Sequence, residues 1–166
     1  MWTAGPQADE KGECIMDELM LKKLQNLLDK VAIEDKIKLY AQNLDTKNWD
    51  NMKNVFMPGA HIDYTVAGGA KCCFEEMLSY WPEGLGGFRS QHLMGNVQVQ
   101  VSDDRSTASS THILFNPMTR KTKKGDYTFF CGLHYDCKWQ RTADDDWKIT
   151  EMIERDLCYM YHRPLP

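Results

Sequence analysis

Leu44-Asp45-Thr46-Lys47-Asn48-Trp49-Asp50 (LDTKNWD) stands where one helical pattern ends and another begins. Upstream, Leu19, Leu24, Leu27, Leu28, Val31, Ile33, Ile37 and Leu44 recur mostly at steps of three and four, which predicts a helix from about Asp17 to Leu44, in one piece or two. Tyr40 and Leu44 are four apart and share a face, and Asp45 comes directly after. Downstream, Trp49, Met52, Val55 and Phe56 predict a second helix that Met57-Pro58-Gly59 stops. Packing accounts for the apolar residues of this stretch. A carboxylate at Asp45 needs another reason: a cap on the following helix, or an acid–base group turned into a pocket.

Beyond these helices the chain is strand-like. His61 to Val66 alternates, with Ile62, Tyr64 and Val66 in phase, and Gly68-Gly69 turns the chain. Cys73 to Trp81 reads as a third helix, ended by Pro82 and nearby glycines. Strands are predicted over His92 to Val101 (with a bulge at Gly95), Thr107 to Asn116, Tyr127 to Gln140 and Trp147 to Ile153. Helices first and an antiparallel meander last predict an α+β fold, a curved sheet wrapped around N-terminal helices. Tyr135, Cys137 and Trp139 share one face of a strand whose other face is also partly apolar, which suggests an interface between copies on the outside. Residues 1–14 read as a loose arm and 15–166 as one domain.

Composition excludes several classes. With 166 residues, 42% apolar and 27% charged, the chain is sized for one domain with its own core. A net charge of −4 argues against a nucleic-acid partner, and the basic run Arg120-Lys121-Thr122-Lys123-Lys124 reads as a solvated hairpin tip. No apolar run is long enough for a membrane span, and the first residues lack the order of a secretory signal, so a cytoplasmic location is the default expectation. The six cysteines form no CxxC pair and read as free thiols, not as a metal site.

Polar groups that interrupt apolar faces are the candidates for a site between helices and sheet. They are Asp45, Tyr64, His92, His112 (in phase with Ala108, Leu114 and Asn116), and His134 with Asp136 (in phase with Phe130). Each alone has a structural explanation, such as a core histidine or a tied-down tyrosine. Together a carboxylate, imidazoles and a phenol make an acid–base set for a polarised carbonyl.

The order of five segments resembles the SnoaL-like family of the ketosteroid isomerase and nuclear transport factor superfamily, nearest its scytalone dehydratase and bile-acid dehydratase branch. The segments are YAQNLDTKNWD (Tyr40 to Asp50), HIDY (His61 to Tyr64), SQHLMGN (Ser90 to Asn96), GLHYDCKWQR (Gly132 to Arg141) and DDDWKI (Asp144 to Ile149), within a span from about Ile33 to Tyr159. The resemblance implies a cone-shaped α+β barrel with a deep cavity, usually with no metal or organic cofactor, assembled as a homo-oligomer, a trimer or dimer. It places catalytic roles on Asp45, Tyr64, His92 and Tyr40, and substrate contacts near His112, Asn116, His134 and Asp136. The sequence departs from the dehydratases at two points. Their second histidine, which pairs with the acid, falls on Asn116, and the tyrosine before the acid is Leu44. His112 or His134 is then the expected substitute partner of Asp45, and Arg155 the candidate counterpart of a C-terminal arginine. The implied function is dehydration through an enolate of a small cyclic hydroxy-ketone or polyketide-like substrate. The alternatives are isomerisation or ring closure in the same pocket, or a small-ligand-binding protein.

Overall fold

A computed structural model describes residues 10–123 and 125–164, with side chains described over 17–123 and 125–158. One helix, α1 (Glu10–Thr46), covers the whole first pattern without a break. It takes in residues 10–14 of the expected arm, and residues 1–9 lie outside the described residues. Its core stripe is Asp29, Ile33, Ile37, Tyr40 and Leu44, all buried at steps of three and four. The earlier apolar residues do not share that burial: Leu19, Leu24, Leu27, Leu28 and Val31 are exposed. Periodicity identified the helix there, but among the described residues no layer of the fold covers its first half.

The expected second helix is a short 3-10 helix, Trp49–Asn54, succeeded at once by β1 (Phe56–Asp63). Met57-Pro58-Gly59 therefore lies in a strand and does not end a helix. Tyr64 leaves that strand into a 3-10 turn, Thr65–Ala67, which leaves Val66 exposed and not in phase with Ile62. Gly69 is needed at this turn, since a Cβ there would stand 2.7 Å from Tyr64 Cβ. Then come β2 (Lys71–Cys73), α2 (Phe74–Leu85, with Pro82 inside it), β3 (Arg89–Ser90), β4 (Leu93–Val101), β5 (Thr107–Thr122), β6 (Gly125–Arg141) and β7 (Trp147–Pro164).

The seven strands form one curved, unclosed sheet in the order β2-β1-β7-β6-β5-β3, with β4 also on β5. The order is antiparallel except at β1 and β7, which run parallel from Phe56↔Ile149 to Asp63↔Ile153. The expectation of a meander thus becomes a mixed sheet, because a strand set between helices returns beside the last one. The register of β4 on β5 slips between Gly95 and Gln98, where the bulge was expected.

α1, α2 and the concave sheet face enclose the core, which includes Trp81, Trp139, Trp147, Phe56 and Tyr135. Its inward face on β6 is Cys131, Leu133, Tyr135, Cys137 and Trp139. One fixed point ties α1 to the turns at one end of the sheet. Buried Asp29 accepts from Arg105 Nε at 2.6 Å, from Arg141 and from Trp147 Nε1 at 3.3 Å. No helix among the described residues is long and apolar enough to cross a membrane.

Candidate active site

The end of α1 sets the first side chain. Lys47 takes a left-handed conformation (φ 62°), the helix-terminating geometry usually given to glycine, and Asn48 N–H returns to Asn43 O at 2.9 Å. The carboxylate of Asp45 is thereby turned toward the start of β4. It accepts the backbone N–H of His92 on Oδ2 at 2.9 Å and the Ser90 hydroxyl on Oδ1 at 2.9 Å. His92 Nδ1 lies 2.6 Å from the same Oδ1. Burial pushes the Asp45 carboxyl up, but the side-chain and backbone bonds from His92 outweigh it and hold the acid below the ordinary 3.8. Asp45 does not cap the following 3-10 helix, whose N-cap position is Asn48.

Three bonds on one carboxylate fix the imidazole. With Nδ1–H committed to Asp45, a neutral His92 presents its lone pair at Nε2, and Asn116 Nδ2 lies 3.0 Å from it. The same amide turned over accepts from Nε2–H, so Asn116 accommodates both protonation states of the ring. In its present orientation Asn116 Oδ1 has no partner among the described residues. The partner of Asp45 is therefore His92 itself, not the expected His112 or His134. Lys47 is half-buried and donates to Ser90 Oγ at 3.2 Å.

His92 and Asn116 line a cavity of about 150 Å³ whose wall also includes Leu44, Trp81, Leu114, Met118, Phe129 and Cys131. Asp45 is not in that wall; it reaches the cavity through the imidazole. Two inward rungs further along the sheet, where His112 pairs with Tyr135, the wall becomes phenolic. Tyr40 and Tyr64 place their hydroxyls 2.5 Å apart, and Tyr64 also donates to the Met152 thioether at 3.4 Å. Burial pushes both phenols well above 10, so they remain neutral hydroxyls. The third phenol, Tyr135, packs edge-on against both rings and donates to Glu154 Oε1 at 2.9 Å.

Two expected contact residues lie elsewhere. His134 and Asp136 are on the opposite face of β6, where His134 meets Cys158 and Asp136 is paired with Arg155. Arg155 is accordingly exposed, and it does not enter the cavity. His112 is buried behind the wall, stacked on Tyr135 with ring centroids 5.2 Å apart and both ring nitrogens unpartnered among the described residues. Burial pushes it down to about 4, so it is neutral. Glu154 was missed from the sequence. It is 9% exposed, lines the cavity, and its Oε2 meets no partner among the described residues.

Residues 25–153 match the model of the SnoaL-like domain. The chain belongs to that family. An uncharacterized protein of Mycobacterium tuberculosis is 33% identical over 141 residues, covering 84% of this chain and 92% of the relative. Among solved structures, a candidate scytalone dehydratase from Novosphingobium aromaticivorans superposes with a TM-score of 0.66 at 19% identity, over 85% of this chain and 91% of that one. A type 2 hexachlorocyclohexane dehydrochlorinase superposes with a TM-score of 0.72 at 14% identity, over 85% and 93%. At such identities the structural likenesses establish a shared fold, and the chemistry has to be argued from the SnoaL-like cavity of this chain.

Proposed function

We propose that this protein is an acid–base enzyme that eliminates water from a small cyclic β-hydroxy ketone through an enolate, without the cofactor that the resemblance also omits. The observation that carries the reading is the Asp45–His92 pair, with Nδ1 held at 2.6 Å by a carboxylate outside the cavity and the other ring nitrogen 3.0 Å from the Asn116 amide, His92 and Asn116 both being in the cavity wall. A histidine so oriented is a base of fixed tautomer, and Asp45 stabilises the imidazolium that forms. Of the two roles open to Asp45, orienting the imidazole fits the geometry and direct proton abstraction does not.

His92 Nε2 takes the C–H proton beside the carbonyl, and the electron pair moves onto the carbonyl oxygen. The Tyr40–Tyr64 hydroxyl pair faces that developing charge. Tyr64 has a thioether as its present acceptor, which is weak, so a substrate oxygen competes well for its proton. Collapse of the enolate forms C=C and breaks the C–O bond to the β-hydroxyl, which departs as water after gaining a proton. The cavity of about 150 Å³ matches one six-membered ring. Isomerisation and ring closure share the enolate, but the dehydration reading uses a proton donor as well as a base, and the cavity offers both.

The test is conversion of 3-hydroxycyclohexanone to cyclohexenone, monitored by enone absorbance, in wild type, His92→Ala and Asp45→Asn. Turnover in the wild type, its loss in His92→Ala and a fall of about 10²–10⁴-fold in Asp45→Asn are expected. Binding of the ketone without turnover, equal in all three folded proteins, would instead describe a ligand-binding protein.

A further inference from the structure

The last strand holds a buried acid that the base-and-enolate scheme leaves unused. Glu154 is in the cavity wall, across β6–β7 from Tyr135, whose hydroxyl donates to Oε1 at 2.9 Å. Its other oxygen is buried and unpartnered, and among the described residues no cation makes an ion pair with the group. An ionised carboxylate in such a place would be left with one hydrogen bond and no counter-charge. A carboxylic acid there has the opposite character: Oε2–H is a donor with nothing among the described residues to receive it. A donor of that kind in a ligand cavity points to an acceptor on the ligand.

We infer that Glu154 is the general acid of the reaction, the group whose Oε2 proton passes to the departing hydroxyl. The inference rests on the reading of His92 as base. Protons and electrons balance: one proton leaves carbon for His92, one leaves Glu154 for oxygen, and the C–O bond breaks to release water. The enzyme is left with an imidazolium and a carboxylate. It resets when His92 loses its proton to solvent beside half-exposed Asp45 and Glu154 gains one.

The surroundings favour the neutral acid. Tyr135 from β6, Tyr40 from α1 and Tyr64 beyond β1 face it with neutral phenols, and Cys131 lies in the same wall with its thiol pushed up to about 12 by burial. His112 on β5, behind Tyr135, is neutral. Among the described residues the charge that acts on it is Asp63 at the end of β1, itself paired with Lys71 at 2.9 Å, and this disfavours a second anion. Burial is the main cause of a Glu154 value pushed up to about 8, with the Tyr135 bond opposing it. Glu154 is thus an acid at neutral pH, opposite Tyr135 and two inward rungs along β6 from the Asn116–Cys131 pair where His92 sits.

Two measurements decide this. The first is infrared titration of wild type and Glu154→Gln without ligand. A protonated carboxyl band at pH 7 that disappears near pH 8 and is missing in the variant is expected; a Glu154 already ionised at pH 7 overturns the proposal. The second compares 3-hydroxycyclohexanone with 3-chlorocyclohexanone, whose chloride departs without a proton. Glu154→Gln should lose about 10²–10⁴-fold on the hydroxy ketone and keep wild-type turnover of the chloro ketone. The alkaline fall in its remaining hydroxy-ketone rate should also vanish. Equal losses on both substrates mean a structural role and overturn the proposal. His92→Ala must lose both substrates if it is the base, so failure of that reading shows separately, as chloro-ketone turnover that survives its removal. Wild-type inactivity on both ketones overturns the two together.

Discussion

At the scale of single residues, the cavity separates two kinds of group. On one side an imidazole is fixed by a carboxylate; on the other, phenols and an acid stay neutral because they are buried. Tyr64 is the residue most exposed to a simple test. Removing its hydroxyl leaves Tyr40 without its 2.5 Å partner and removes the donor proposed for the enolate. Tyr64→Phe should lower kcat on 3-hydroxycyclohexanone by about 10²–10³-fold with KM little changed. Steady-state kinetics on the folded variant check this, and an unaltered kcat would reduce Tyr64 to a packing residue. Asp45, His92 and Tyr64 could be singled out as polar groups set against apolar patterns, and Tyr40 through the family resemblance. His134 and Asp136 were misplaced because both faces of β6 carry apolar residues, so alternation alone does not tell which face turns inward. The phase of Cys131, Leu133, Tyr135, Cys137 and Trp139 is the buried one.

At the scale of elements, β7 explains why Glu154 escaped notice. Trp147 and Ile149 face inward, and a regular strand in that phase would bring Glu151, Ile153 and Arg155 inward too. Instead the register on β6 shifts, with Trp139 opposite Ile149 and Lys138 opposite Glu151, so Thr150 is an extra residue. The bulge reverses the phase: Met152 and Glu154 turn to the core and Arg155 to solvent. A one-residue bulge leaves no mark in a pattern of period two. The parallel pairing of β1 with β7 was likewise hidden, because it joins segments 90 residues apart by backbone bonds that no side chain announces. α1 was legible as a helix but not as a half-buried one. What anchors it is Asp29, in the core stripe and held by Arg105, Arg141 and Trp147. Burial pushes this carboxyl up and those bonds more than reverse it. Asp29→Asn removes the buried charge shared by Arg105 and Arg141, although Arg141 keeps Asp145, and should lower the urea midpoint clearly. Asp35→Asn, which breaks the exposed Lys38 pair, should leave the midpoint nearly unchanged. Equal shifts would mean that the buried network does not fasten α1 to the sheet.

At the scale of the whole molecule, these buried groups set how stability depends on pH, and they pull in different directions. Asp29 and Asp45 have folded values below 3.8, so what they contribute is present above 3.8 and lost as pH falls through those lower values. His112 is pushed down to about 4 from 6.5, so the unfolded chain binds the extra proton between them and stability rises with pH across that interval. Glu154 is pushed up from 4.5 to about 8, so the folded chain holds the extra proton and stability falls as pH rises from 4.5 to about 8. Each group has a limiting slope of about 1.4 kcal/mol per pH unit. From 4.5 to 6.5 the two slopes oppose and nearly cancel, giving a plateau. From 6.5 to 8 Glu154 acts alone, and the protein should lose roughly 2 kcal/mol. A protein most stable in the acid half of the usual range of about pH 5–8 is the expected outcome. Urea unfolding at half-unit steps from pH 4 to 8.5 measures it. In Glu154→Gln the loss above 6.5 should disappear and the rise due to His112 should emerge below it. A wild type whose stability is flat from 6.5 to 8 would show that Glu154 is already ionised in the folded state, with its charge met by solvent that enters the cavity.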